Sequence, residues 1–149
     1  EAVIVAITKN GAKEGATLLV GHGTYTPATA QYAMLDYMLK EKGLKNYSVG
    51  TIEGYPSFDT MEAQVKANGT KKVLLMPFMF VAGDHAKNDI AGDWKEELEK
   101  KGYEVSVFME GLGQNPDIQK IFIEHARFMA KHKMIDIVDK KKAYAVEKD

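Results

Sequence analysis

Apolar residues run almost unbroken through four short stretches: "ATLLVG" (16–21), "YSVGTIEG" (47–54), "KKVLLMPFMFVAG" (71–83) and "YEVSVFMEG" (103–111). Such runs predict buried strands, whose two faces are both covered. Pro77 lies inside the third. It lacks a ladder donor, so that strand is expected to bulge or to end its regular pairing there. Between the strands the pattern changes to helical spacing. Residues 27–43 bring Ala30, Ala33, Met34, Tyr37 and Met38 back at helical intervals, with Pro27 in the first turn and Gly43 as the stop. Residues 57–69 predict a helix capped by Ser57 and closed by Gly69, residues 86–102 one closed by Gly102, and residues 115–133 a long amphipathic one capped by Asn115.

Alternating βα units with continuous apolar strands predict an α/β fold: a four-stranded, mostly parallel sheet with helices on both faces, in the flavodoxin/Rossmann-like three-layer arrangement. The domain is expected over 16–133. The segment 1–15 is open: "AVIVAIT" reads as an extra strand or as the tail of a helix, followed by a loop. Residues 134–149 read as a loosely held C-terminal extension, and Lys140, Lys141 and Lys142 as a solvated helix end or tail. Residue 1 is not Met, which suggests a processed N-terminus or a piece of something longer.

Composition narrows the partners. The 149 residues suit one domain with a sizeable core, and 45% hydrophobic with 28% charged residues is ordinary for a globular chain. A net charge of −1 with no long basic block gives no reason to expect nucleic acid. The longest apolar run is too short to cross a bilayer, and no signal peptide is apparent. With no cysteine there are no disulfides, thiolate metal sites or cysteine nucleophiles. The expected compartment is the cytoplasm, with a processed periplasmic form left open.

Three of the four strands end in a residue with metal-binding chemistry. His22 follows the first, Glu53 closes the second and His85 follows the third; the separations, 31 and 32 residues, each equal about one βα repeat. Residues one repeat apart fall on the same edge of a parallel sheet, and ligands of open α/β sheets bind beyond the carboxyl ends of the strands. Two imidazoles and a carboxylate suit a divalent first-row metal, and three protein ligands leave a position open for chemistry. Taken singly, each has a plainer role as a cap or rim hydrogen-bonder; in register the three point to one site. Other candidates are weaker. "GHGT" lacks the lysine of a phosphate loop, "GLGQNP" (111–116) reads as a turn, and His125 and His132, seven residues apart on one helix face, lack a carboxylate pattern.

The stretches "GHGT", "GTIEGYPSFDT", "LLMPFMFVAGDHAKNDIAGD" and "EGLGQNPDIQKIFIEHAR" resemble the anaerobic cobaltochelatases of the CbiK family, class II tetrapyrrole chelatases, over residues 16–127. The resemblance implies insertion of Co²⁺, or Ni²⁺ or Fe²⁺, into sirohydrochlorin or a related tetrapyrrole, in cobalamin-type biosynthesis. It implies neither ATP nor an organic cofactor. It also implies that His22, Glu53 and His85 hold the metal, with His22 and His85 as the catalytic imidazoles that accept pyrrole protons. Tyr25, Tyr55, Pro56, Met79, Phe80 and Val81 are then candidates for the wall facing the macrocycle, and Asp84 and Asp89 for orienting His85, helix capping being their plainer role. The family's full-length enzymes have two α/β domains around a cleft, and this chain resembles the C-terminal one. A complete cleft would need the other half or a second copy. The chain also lacks acidic residues usual between "AGD" and Trp94, and it continues past the usual end. Two rival readings stand beside this one: a haem- or metal-binding protein without turnover on the same fold, and a flavodoxin-like nucleotide or receiver domain, for which "GHGTYTP" offers neither a phosphate cradle nor an acidic cluster.

Overall fold

The structure, a computed structural model, describes residues 2–84, 86–132, 138–139 and 141–142. The chain divides into two compact units, Glu1–Ile118 and Gln119–Asp149. In the first, β1 (Ala16–Gly23), β2 (Tyr47–Glu53), β3 (Lys72–Pro77) and β4 (Glu104–Val107) form one sheet in the order β2-β1-β3-β4. All three pairings are parallel. From β1 the chain steps to β2 on one side and then returns to β3 on the other, so the winding reverses between β1 and β3. That is where ligands enter open α/β sheets.

Side chains alternate along each strand and so feed two cores. Leu18, Val20 and Leu75 pack with Met61 and Val65 of α3 (Phe58–Ala67), with Ile90 and Trp94, and with Leu98 of α4 (Lys95–Lys100). Leu19, Val49 and Met76 pack on the opposite face with Ile7 of α1 (Ala2–Asn10) and Leu39 of α2 (Ala30–Glu41). The open N-terminal segment is therefore helical. A single 3₁₀ turn, Pro27–Thr29, leads into α2. The expected caps are in place: Ser57 Oγ accepts from Thr60 N at 3.3 Å, and Asn115 Oδ1 accepts from Asp117 N at 2.9 Å at the start of α5 (Pro116–Lys131).

Three elements differ from the reading of the chain. Regular pairing of β3 stops at Pro77, as one of the two outcomes expected of that proline, so residues 78–83 of the expected run are rim and not strand. The fourth strand keeps only Glu104–Val107 of the expected 103–111, because it lies at the sheet edge and has one neighbour. The third helix opens as a π-helix over Ala86–Trp94 before tightening into α4. Ala86, Ile90 and Trp94 are all buried there. Their four-residue spacing drifts round an α-helix, and the wider π turn keeps it nearer one face. Trp94 reaches over Gly50, where an added Cβ would lie 2.8 Å from its ring, and meets Phe58 edge-on with centroids 5.0 Å apart. The tail 134–149 lies outside the described residues apart from 138–139 and 141–142, and no helix among the described residues is long and apolar enough to cross a membrane.

The exposed edge of β2 is closed by side chains. Asp36 Oδ1 accepts from Val49 N at 2.9 Å, and its other oxygen accepts from Gln64 Nε2 at 3.1 Å. Lys40 Nζ donates to Asp36 at 2.6 Å, to Gln64 Oε1 at 2.8 Å and to the Tyr47 carbonyl. Asp36 thus ties α2, β2 and α3 together, and its loss leaves the Val49 N–H without its acceptor and the partly buried Lys40 ammonium without its counter-charge. Asp36→Ala is expected to cost roughly 2–3 kcal/mol in urea unfolding, and Asp36→Asn distinctly less, because a neutral acceptor remains.

Candidate functional site

The rim where β1 and β2 end is held together by close backbone approach. Gly23 pairs with Glu53 in the ladder. With φ at +83°, it occupies a conformation costly for any residue with a Cβ, and a Cβ there would fall 1.7 Å from the Glu53 carbonyl oxygen. Gly54, at φ +90°, likewise lies against the Thr24 carbonyl, where a Cβ would come within 2.3 Å. The two strand ends therefore interlock through glycine backbone.

The loop after β2 is tied down at both ends. Thr51 donates twice to the Pro56 carbonyl, from N at 2.8 Å and from Oγ1 at 2.9 Å. Thr29 Oγ1 donates to the Tyr55 carbonyl at 2.7 Å and accepts from Tyr55 N at 2.9 Å. The Tyr55–Pro56 peptide is cis. Glu53 therefore sits between an interlocked glycine and a clamped turn. On the other side, Tyr32 lays its ring over Gly21 and its hydroxyl accepts from Gly23 N at 3.3 Å. His22 is half-buried between them, its Nδ1 lying 3.2 Å from the Gly23 carbonyl.

Strand register refines the expected convergence. His22 follows the alternation of Leu18 and Val20, on the face of α3 and the π-helix, while Glu53 follows Tyr47 and Val49, on the face of α1 and α2. The two belong to neighbouring strands but leave from opposite faces. Side chains leaving from opposite faces can approach each other only beyond the sheet edge, where both strands end, and not within either core. The third expected ligand, His85, lies outside the described residues. Among the described residues no three His, Asp or Glu side chains gather into a group that could hold a metal ion.

The expected wall divides by exposure. Tyr25, Tyr55, Phe80 and Val81 stand out at 82%, 52%, 51% and 70% exposed. Pro56 is buried and serves the turn through its carbonyl, and Met79 packs partly against the core. Phe80 is carried on a pinned backbone: Leu112 N donates to the Met79 carbonyl at 2.8 Å and Gly113 N to the Phe80 carbonyl at 2.9 Å. Asp84 is exposed, and Asp89 is half-buried in the π-helix that starts beside position 85.

Two features were not read from the sequence. An apolar cleft of about 580 Å³ runs beside the rim, lined by Ile4, Thr24, Tyr32, Leu35, Met38 and Phe78, among others. Phe78 belongs to the run read as strand; two residues beyond Met76, it keeps that residue's face and so reaches the cleft. The other feature lies among the polar side chains near the amino end of β4, away from the rim. The Tyr103 phenol is buried and donates to Glu62 Oε1 at 2.9 Å. Burial, and then the bond to Glu62 and its charge, push the phenol up to about 12.

Residues 1–131 match the family model described as cobalt chelatase (CbiK). A sirohydrochlorin cobaltochelatase of Salmonella typhimurium LT2 is 38% identical over 112 residues, 72% of this chain and 42% of the relative. The sirohydrochlorin cobaltochelatase CbiKC of Nitratidesulfovibrio vulgaris Hildenborough is 30% identical over 114 residues, 74% of this chain and 40% of the relative. The chain thus spans about two fifths of the length of these relatives. A crystal structure described as a cobalamin (vitamin B12) biosynthesis CbiX protein from Marinobacter aquaeolei VT8 superposes with a TM-score of 0.64 at 19% identity, over 80% of this chain and all of that one. At that identity the likeness concerns the fold.

Gly23 and Gly43 share a positive φ, +83° and +81°, but a Cβ at Gly43 meets nothing within 4 Å. Gly43→Ala is therefore expected to cost about 1–2 kcal/mol, and Gly23→Ala at least about 2 kcal/mol more, since the Glu53 carbonyl must also move; thermal unfolding of the two variants measures the difference. For Tyr103 the proton is held more tightly in the folded chain, so its contribution is present below pH 10 and lost as pH rises towards about 12. Stability should fall by on the order of 2 kcal/mol across that window, and Tyr103→Phe should flatten this part of the profile.

Proposed function

This chain belongs to the cobalt chelatase (CbiK) family, and on that premise we propose that it is the metal-carrying half of an ATP-independent chelatase that inserts Co²⁺ into sirohydrochlorin or a closely related tetrapyrrole. The observation that carries the reading is the ladder pairing of Gly23 with Glu53. It supports a reading in which an imidazole and a carboxylate emerge at one level of the carboxyl rim, from opposite faces of the sheet, beside the strand reversal.

Insertion must remove two pyrrole N–H protons and strip a hydrated cation. His22, Glu53 and His85 take the incoming ion as substrate and replace part of its water. A macrocycle lying over the rim, against Tyr25, Tyr55, Phe80 and Val81, presents its pyrrole nitrogens to that ion. As each nitrogen takes a coordination position, the imidazole it displaces is free to accept the pyrrole proton. The donors suit this exchange: imidazole and carboxylate bind borderline cations without the grip of a thiolate, so the ion can leave. The glycine interlock and the Thr29 clamp keep Glu53 from following it. The opposite face of the macrocycle is covered by a further α/β domain, as the greater length of the relatives suggests, or by a second copy of this chain.

The test is sirohydrochlorin metallation with Co²⁺, Ni²⁺ and Fe²⁺, followed by the change in the macrocycle's absorption. Co²⁺ should be inserted well above the uncatalysed rate, and His22→Ala, Glu53→Ala and His85→Ala should each lower the rate more than about tenfold. A variant that keeps its rate removes that residue from the site; three such variants end the reading.

A further inference from the structure

The second compact unit carries an apolar helix face that the proposed chemistry does not use. Within α5, Phe122, Ile123, Phe128 and Met129 are 56%, 50%, 56% and 60% exposed. One of them, Phe128, belongs to a regular pattern. Ile121, His125, Phe128 and His132 follow at spacings of four, three and four, the spacing of a two-stranded coiled-coil seam, with histidine at two of its four positions. Phe122 and Met129 each stand one residue beyond a seam position, Ile121 and Phe128, and widen the apolar stripe. Glu124 and Lys131 each stand one residue before a seam position, His125 and His132. The seam is partly built in the single chain, since the His132 ring stacks on Phe128 with centroids 3.7 Å apart and its Nδ1 lies 2.9 Å from the Phe128 carbonyl.

The charges select the occupant and its direction. In a parallel in-register pair, His125 would face His125 and His132 would face His132, while Glu124 would face Met129, an apolar position. Run antiparallel, the same pattern is self-complementary. His125 of one copy meets Phe128 of the other, Ile121 meets His132, Phe122 meets Met129, and Glu124 meets Lys131 twice by symmetry. Lys120 of the same helix is 4.0 Å from Glu124, with both side chains largely exposed, and such a pair holds the carboxylate weakly. We propose that α5 is a self-association helix that pairs antiparallel with α5 of a second copy of this chain. The seam from Ile121 to His132 is only about 18 Å long, so the interface is small and the dimer weak and exchanging. The inference does not depend on the chelatase reading.

Sedimentation of the full chain across a concentration series tests it. A monomer–dimer equilibrium is expected, with Glu124→Lys and Lys131→Glu each weakening it at least about tenfold, because each substitution sets like charges together at both symmetric contacts. The combined variant should return to within about threefold of the starting protein, since exchanging both charges restores the pairs. Circular dichroism of each variant confirms that the helix is kept. The absence of native cysteine allows a second arm. A mixture of Ile121→Cys and His132→Cys chains should oxidise to the mixed disulfide in preference to either like pair. A chain that stays monomeric throughout, single charge changes without effect, a double variant no better than the singles, or preferential like-pair disulfides would each overturn the proposal.

Discussion

The rim exists because two strand ends approach more closely than side chains allow. At Gly23 and Gly54 the backbone of one loop touches the carbonyl of the other, and both residues use positive φ to do so. Everything at the rim inherits that contact. It sets the height at which His22 and Glu53 emerge and leads the second loop into the turn that Thr29 and Thr51 clamp. Hydrogen bonds alone would leave this loop free to fray, since each is worth only about 1 kcal/mol net. The steric fit adds a constraint that side-chain motion does not relax.

The two cores beneath share the work unequally. Under α3 and the π-helix the packing is aromatic and tight, with Trp94 laid on Gly50 and braced by Phe58. Under α1 and α2, where Tyr47, Tyr32 and Phe78 join the aliphatic residues, the packing opens into the cleft by Phe78. A rim standing on one dense and one open face has a firm side and an accommodating side. The π-helix belongs to the firm side, and its wide turn begins beside position 85. π turns recur at functional sites, where they re-aim a side chain at some cost in backbone geometry. Here buried Ala86 and Ile90 offset that cost through the core they enter.

Much of this was legible in the chain. Unbroken apolar runs joined by helical periodicity specify a covered parallel sheet, and the one-repeat spacing of His22 and Glu53 puts them at the same end of neighbouring strands. Legibility failed where tertiary contact overrides local pattern. Pro77 itself signals the end of the β3 ladder, but that the next residues are held by 111–113 is not readable from their apolar pattern. The π-helix has no hydrophobic period of its own in so short a segment. Spacing by whole repeats also ignores parity: it predicts which edge a residue reaches but not which face it leaves from. The split between His22 and Glu53 therefore appears only in the register.

That split bears on what kind of metal such a rim suits. An ion meant to stay is best enclosed by four donors on one side of a dense core, where leaving exposes uncompensated ligands. Here the imidazole and the carboxylate rise from opposite faces, both half-buried, with exposed aromatic side chains around the rim. On the chelatase reading, donors of that kind would share an ion only above the sheet edge, on its open side. A planar ligand approaching from that side could then replace the protein donors one at a time, without the core opening. On the chelatase reading, the opposed faces of the two strands are what make the metal deliverable.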